Sequence, residues 1–222
     1  MLGNSRLHNF LEYRIAARPL QTHRQPLNQE TIKRDVIVMG ASAGGIEVLI
    51  RMFSELPPDL PAIMGVVLHR GPIASELRLV LGKRSVLPIV EPAQDLSSRK
   101  GTIFLAPPDH HLELKPHRAL VRRGPKEHNT RPAIDPLFRS AADSFGSRVV
   151  GVLLSGCGDD GVTGLIAIKH HGGICLVQDP EEADMPYMPV NAIRYDHVDR
   201  ILPAKAIAST LGTLVKGGPV EW

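Results

Sequence analysis

Aromatic residues are scarce in this sequence: one Trp, three Tyr and five Phe make up 4% of 222 residues. Surfaces that grip single-stranded nucleic acid commonly stack bases on aromatic platforms along a basic groove, and this chain has few to offer. Cysteine is scarcer, with only Cys157 and Cys175. Two thiols in a chain with no visible secretory signal argue against a disulfide framework and for a reducing, cytoplasmic setting. No apolar run approaches the roughly 20 residues of a membrane-spanning helix, so no membrane insertion is expected. Surplus charge is also missing from most of the chain. The net +3 comes from residues 1–34, where Arg6, Arg14, Arg18, Arg24, Lys33 and Arg34 face only Glu12 and Glu30. The remainder is close to neutral, which speaks against a nucleic-acid partner. Metal-type spacings such as H-E-x-x-H or paired cysteines are absent, so no metal or other cofactor is expected.

What is present is a globular composition, 43% hydrophobic and 22% charged, with a regular alternation of short apolar runs and amphipathic stretches. Residues 36–40, 62–68, 86–91, 102–106, 149–155 and 174–178 read as strands, most of them Val-, Ile- or Leu-rich as strands buried on both faces are. Residues 45–56, 74–83, 135–145, 160–171 and 204–216 read as helices. Such alternation predicts an α/β fold: a doubly wound, mostly parallel sheet with helices on both faces. Residues 111–123 differ, two short extended runs around 116–118 that predict an antiparallel hairpin. Residues 1–34 read as a flexible basic extension and 35–222 as one doubly wound domain.

In such sheets the chemistry gathers at the carboxyl edge of the strands. Three strand ends stand out. Gly40-Ala41-Ser42-Ala43-Gly44 fits G-x-S-x-G between a strand and a helix, where small neighbours expose a serine hydroxyl and free helix amides can hold an oxyanion. A tight glycine turn is the plainer reading of the same residues. His69 ends a strongly apolar strand and could act as general base. Asp159 and Asp160 sit between glycines at a strand-to-helix junction, where one could cap the helix and the other face the cleft; the residues alone leave open which. The order Ser, His, Asp matches neither the α/β-hydrolase nor the subtilisin order, yet triads are defined by role. A dinucleotide fingerprint fails, because Ser42 stands at its middle glycine and His69 where its ribose-binding acid would be.

These residues fall within five ordered motifs. Val36-Ile-Val-Met-Gly-Ala-Ser-Ala-Gly-Gly-Ile-Glu47, Val67-Leu-His-Arg70, Phe104-Leu-Ala-Pro-Pro-Asp-His110, Arg131-Pro-Ala-Ile-Asp135 followed by Leu137-Phe138, and Val152-Leu-Leu-Ser-Gly-Cys-Gly-Asp-Asp-Gly161 together resemble the catalytic domain of CheB-type chemotaxis methylesterases. The resemblance spans about residues 35–203. It implies hydrolysis of glutamate γ-methyl esters on chemoreceptors, with deamidation of receptor glutamines in related enzymes. By motif position it implies Ser42 as nucleophile, His69 as base and acid, and Asp160, directly before Gly161, as the partner of His69. It also implies Ala43 and Cys157 at the oxyanion loop, and Arg131, Met188 and Pro189 as candidates for substrate contact.

Three departures stand out: Ala43 where Thr is common, Cys157 where Met is usual, and Tyr187 where glycine is common, the last expected to narrow the cleft. The expected partners are methylated chemoreceptors or related signalling proteins. Residues 1–34 are too few for a receiver domain, so the usual phosphorylation switch is not assumed. A separate receiver protein or regulation by expression alone would both fit, and a separate receiver or methyltransferase protein is a candidate partner. The competing reading is a catalytically degenerate signalling or binding module of the same fold.

Overall fold

A computed structural model describes residues 32–195 and 197–218. Its strands are β1 (Val36–Ala41), β2 (Ile63–Leu68), β3 (Ile89–Val90), β4 (Leu96–Ser97), β5 (Thr102–Leu105), β6 (His111–Lys115), β7 (Arg118–Arg122), β8 (Val149–Leu153), β9 (Ile174–Gln178) and β10 (Arg200–Leu202). Its helices are α1 (Gly45–Glu55), α2 (Leu77–Gly82), α3 (Ile134–Phe145), α4 (Val162–His170), α5 (Tyr187–Arg194) and α6 (Ala204–Val215). Among the described residues, seven strands form one sheet in the order β10-β9-β8-β1-β2-β5-β3, and every pairing in it is parallel. The doubly wound α/β reading therefore holds. The expected hairpin is also there: β6 and β7 pair antiparallel, with His117 in the left-handed region at the turn, and β4 joins as a third strand.

The chain builds outward from β1 through β2 to β5 and β3, then returns to lay β8 on the other side of β1. The reversal makes the β8/β1/β2 edge the topological switch point, where ligand crevices open in such sheets. Alternation along β1 feeds two cores. Ile37, Met39 and Ala41 pack with α1 and α6, while Val36 and Val38 pack with α3 and α4. Gly40 belongs to the second face, and a Cβ there would come within 2.4 Å of the Ile134 side chain. A bare backbone at that position lets the start of α3 press against the sheet, which matters for the site.

Three sequence expectations shift. The strand expected over 86–91 shrinks to Ile89–Val90, because Val86 is exposed and Pro88, lacking an N–H, only accepts a bond from Ile103. The helix expected from residue 160 starts at Val162, since Gly161 turns the chain at φ 95°. Helix α5 and strand β10 were not foreseen. Of the expected extension, residues 1–31 lie outside the described residues, and at its end the Arg34 amide donates to Leu214.

Candidate active site

Ser42 follows β1, His69 follows β2, and Asp160 lies between β8 and α4, so three adjacent parallel strands deliver them to one edge of the sheet. The backbone fixes the serine turn. The Ser42 amide donates to the Ser155 carbonyl at 2.9 Å, the His69 amide to the Ala41 carbonyl at 3.0 Å, and Gly44 supplies the left-handed residue (φ 76°) that turns the strand into α1. Ser155 is buried and clamps this turn from below: its hydroxyl donates to the Ala43 carbonyl at 2.8 Å and accepts from the Met185 amide at 3.0 Å. The Ser155 amide is itself held by the buried Gln178 side chain at 2.9 Å.

Ser42, Ala43, Gly44, Ile46, Glu47, Leu68 and His69 line one open cleft of about 520 Å³. Within it the histidine is oriented from behind. His69 Nε2 lies 2.7 Å from Asp160 Oδ2. A carboxylate only accepts, so the neutral ring carries its proton on Nε2 and its lone pair on Nδ1. The basic atom of this histidine is therefore Nδ1, the reverse of the ring-nitrogen assignment in the familiar serine-protease triad.

Asp160 is 1% exposed. Its Oδ2 also accepts from the Ile134 amide at 2.8 Å and its Oδ1 from the Asp135 amide at 3.0 Å. These are the first free amides of α3, so the carboxylate sits at the positive end of a helix. Burial pushes its pKa up, but the bonds from His69, Ile134 and Asp135 outweigh burial and hold it below the ordinary 3.8. Asp135 returns the arrangement. Equally buried, it accepts from the Gly161 and Gly164 amides at 3.0 and 2.7 Å, and from the Thr163 hydroxyl, all at the start of α4. Each aspartate thus caps the helix next to the other, and the pair locks α3 to α4.

Of the two adjacent aspartates, Asp160 is the one in contact with His69, whereas Asp159 is exposed and its Oδ1 lies 3.0 Å from His128 Nδ1. The Ala43 and Cys157 amides carry no hydrogen bond among the described residues, and Cys157 is exposed. Arg131 is bound to Asp109 through Nε and Nη2 at 2.9 and 2.6 Å. Met188 and Pro189 are buried in α5, so neither side chain offers surface to a ligand; Met188 packs its sulfur under Gly156. Tyr187 is 57% exposed and is not among the residues that line this cleft.

Sequence reasoning missed Asp135, His128, Ser155 and Gln178. Asp135 and Ser155 stood in quoted motifs, and Gln178 ends β9 at the active edge, signals that could have found them. His128, Asp135 and Asp160 bring ligand-type atoms within 4.8 Å of one another. Both carboxylates already accept hydrogen bonds from the protein: Asp160 from the Ile134 and Asp135 amides, Asp135 from the Gly161 and Gly164 amides and the Thr163 hydroxyl.

Fold and site define a doubly wound α/β protein with a carboxylate-backed histidine beside a serine turn at the switch point. The CheB methylesterase family model matches residues 37–211, and the chain belongs to that family. A protein-glutamate methylesterase/protein-glutamine glutaminase 2 of Anaeromyxobacter dehalogenans is 36% identical over 200 residues, covering 90% of this chain and 59% of its own length. A putative enzyme of the same description from Leptospira interrogans is 33% identical over 176 residues, covering 78% of this chain and 91% of its own. The crystal structure of the Thermotoga maritima CheB methylesterase catalytic domain matches with a TM-score of 0.78 at 32% identity, over 82% of this chain and 98% of that one. The chain spans between half and two thirds of the longer curated relatives it matches. No helix among the described residues is long and apolar enough to cross a membrane.

Proposed function

We propose that residues 35–222 form a serine hydrolase that demethylates glutamate γ-methyl esters on a protein substrate, through Ser42, His69 and Asp160. The observation that carries this reading is the buried Asp160–His69 pair, which fixes a lone pair on Nδ1 in the cleft that Ser42 also lines. Ser42 Oγ attacks the ester carbonyl carbon while His69 Nδ1 takes its proton. The Ala43 and Cys157 amides hold the resulting oxyanion. Collapse breaks the bond to the methoxy group, which leaves as methanol with the proton from His69. Water, deprotonated by the same nitrogen, then cleaves the acyl-serine and returns a glutamate carboxylate. With a glutamine substrate, ammonia leaves in place of methanol, in keeping with the double name of the relatives.

Asp160 stabilises the imidazolium that forms in both steps. Its hold on two α3 amides means that it needs no rearrangement to do so. Methylated chemoreceptors are the substrates this family membership points to. The test is methanol release from a methyl-labelled receptor by the purified chain and by Ser42→Ala. A loss of at least roughly a thousandfold is expected; equal release from both proteins would overturn the reading.

A further inference from the structure

His128 lies outside the proposed triad, yet it faces three carboxylates. Glu127 and Thr130 close a two-residue turn with mutual backbone bonds of 3.2 and 2.8 Å. His128 and Asn129 between them both take the left-handed region, at φ 48° and 59°. Backbone of that kind in two consecutive non-glycine residues is unfavourable unless the side chains are held in place. The His128 ring is held at both ends: Nε2 lies 3.0 Å from Asp135 Oδ2, and Nδ1 lies 3.0 Å from Asp159 Oδ1. Asp160 Oδ1 stands 3.9 Å from Nε2. Ionised carboxylates only accept hydrogen bonds, and a neutral imidazole has a single N–H. Both short contacts can be made together only by an imidazolium.

We propose that His128 is a positioning residue for the reaction: donating from both ring nitrogens, it holds the Asp135–Asp160 pair in place and, through Asp160, the His69 ring. This deepens the hydrolase reading and rests on it for its link to catalysis. The groups around the ring account for its charge. Asp135 comes from α3, with the Thr163 hydroxyl of α4 sharing its Oδ2. Asp159 and Asp160 come from the loop before α4, and His69 lies beyond Asp160 at the end of β2. Glu127, in the same turn, is already taken by Arg139 of α3 at 2.8 Å. Arg131, at the end of the strap, is taken by Asp109. Burial opposes the cation, but Asp160, Asp135 and Asp159 outweigh it and raise the His128 pKa above the ordinary 6.5. The clamp is therefore complete at and below the ordinary 6.5, while its carboxylates stay ionised, and opens as pH rises through the higher folded value. Thr130, whose hydroxyl stands 3.5 Å from His69 Nε2, lies on the same strap and loosens with it.

The test combines NMR and kinetics on the full chain. The His128 ring signal, assigned by its loss in His128→Gln, is titrated in wild type and in Asp135→Asn. A midpoint above 6.5 that falls in Asp135→Asn is expected; a midpoint at or below 6.5 would overturn the proposal. The downfield Nε2–H resonance of His69 reads positioning without any turnover. It is expected to persist in wild type up to the His128 midpoint and to weaken in His128→Gln at every pH; an unchanged resonance in that variant would overturn the proposal. In methyl-ester hydrolysis, kcat/KM should fall on the alkaline side with the His128 midpoint. His128→Gln should be about tenfold slower and lack that limb. His128→Arg, which keeps two donors and a permanent charge, should recover the rate and also lack the limb. An alkaline limb kept in both variants would refute the role. If no protein in the series hydrolysed the ester, the hydrolase reading would fall, while the two resonances would still decide whether His128 positions His69.

Discussion

Replacing Asp160 by Asn probes both chemistry and architecture, because one carboxylate serves three donors. Oδ2 accepts from His69 and Ile134, and Oδ1 from Asp135. An asparagine has one accepting and one donating end. With its oxygen toward His69 and Ile134, the amide nitrogen meets the Asp135 N–H, donor against donor. Flipped, it bonds Asp135 but presents hydrogens to Ile134 and to His69 Nε2, which drives the imidazole proton to Nδ1 and removes the base. Hydrogen bonds to a charged group contribute about 1.5–3 kcal/mol each. With one lost and two weakened, a destabilisation of about 2–4 kcal/mol is expected at pH 7. The wrong tautomer should lower kcat by roughly ten-thousandfold. The stability difference should also depend on pH. Because the folded pKa of Asp160 lies below its unfolded value near 3.8, its contribution is complete above that value and is lost as pH falls through the lower folded one. Urea unfolding of wild type and Asp160→Asn at pH 7 and in a series below pH 3.8, with methanol release at pH 7, measures both quantities. A variant within tenfold of wild-type kcat, or a stability gap that does not narrow in acid, would refute the reasoning.

Other outcomes follow from packing and thiol chemistry. In Gly156→Ala the new Cβ would meet the Met188 sulfur at 2.2 Å and Ser42 Cβ at 2.7 Å, so turnover should drop by about a hundredfold or more as the serine is displaced, while thermal unfolding shifts by only a few degrees. Under native conditions a thiol reagent should modify one cysteine, Cys157, since Cys175 is buried and burial pushes its thiol up to about 12; peptide mapping that finds Cys175 labelled at a similar rate would contradict this. Gly40→Val should unfold the protein or cost several kcal/mol, because its side chain would occupy the place of Ile134 and drive α3 off the sheet; a denaturation midpoint equal to wild type would contradict the close approach.

The frame of the fold was legible because both-face burial writes long apolar runs. Val36–Ala41, Ile63–Leu68 and Ile174–Gln178 are buried along their whole length, and their limits were read to within a residue. Helix α5 was hidden because its region carries Pro186 and Pro189, which look like loop residues although proline is tolerated in a first helical turn. Strand β10 has three residues on the sheet edge, none fully buried, so no apolar run announces it. The strand-end rule pointed to Ser42, His69 and the Asp159–Asp160 pair, since that rule concerns where residues stand on the chain, and the family resemblance chose Asp160 from the pair. It could not find the cross-capping of Asp135 and Asp160, 25 residues apart, nor the reach of His128 to Asp159. Those contacts exist only once α3 and α4 are packed side by side. For the same reason the burial of Met188 and Pro189 in α5, with the Met188 sulfur packed against Gly156, was not legible in the sequence.

The central claim is that Ser42 is the nucleophile and that the Asp160-backed His69 activates it. Intact-protein and peptide mass spectrometry after reaction with a fluorophosphonate tests it most directly. One adduct on Ser42 is expected in wild type, none in Ser42→Ala, and labelling slowed by about a hundredfold or more in His69→Ala. An adduct that forms elsewhere, or on Ser42 at the wild-type rate without His69, would contradict the account.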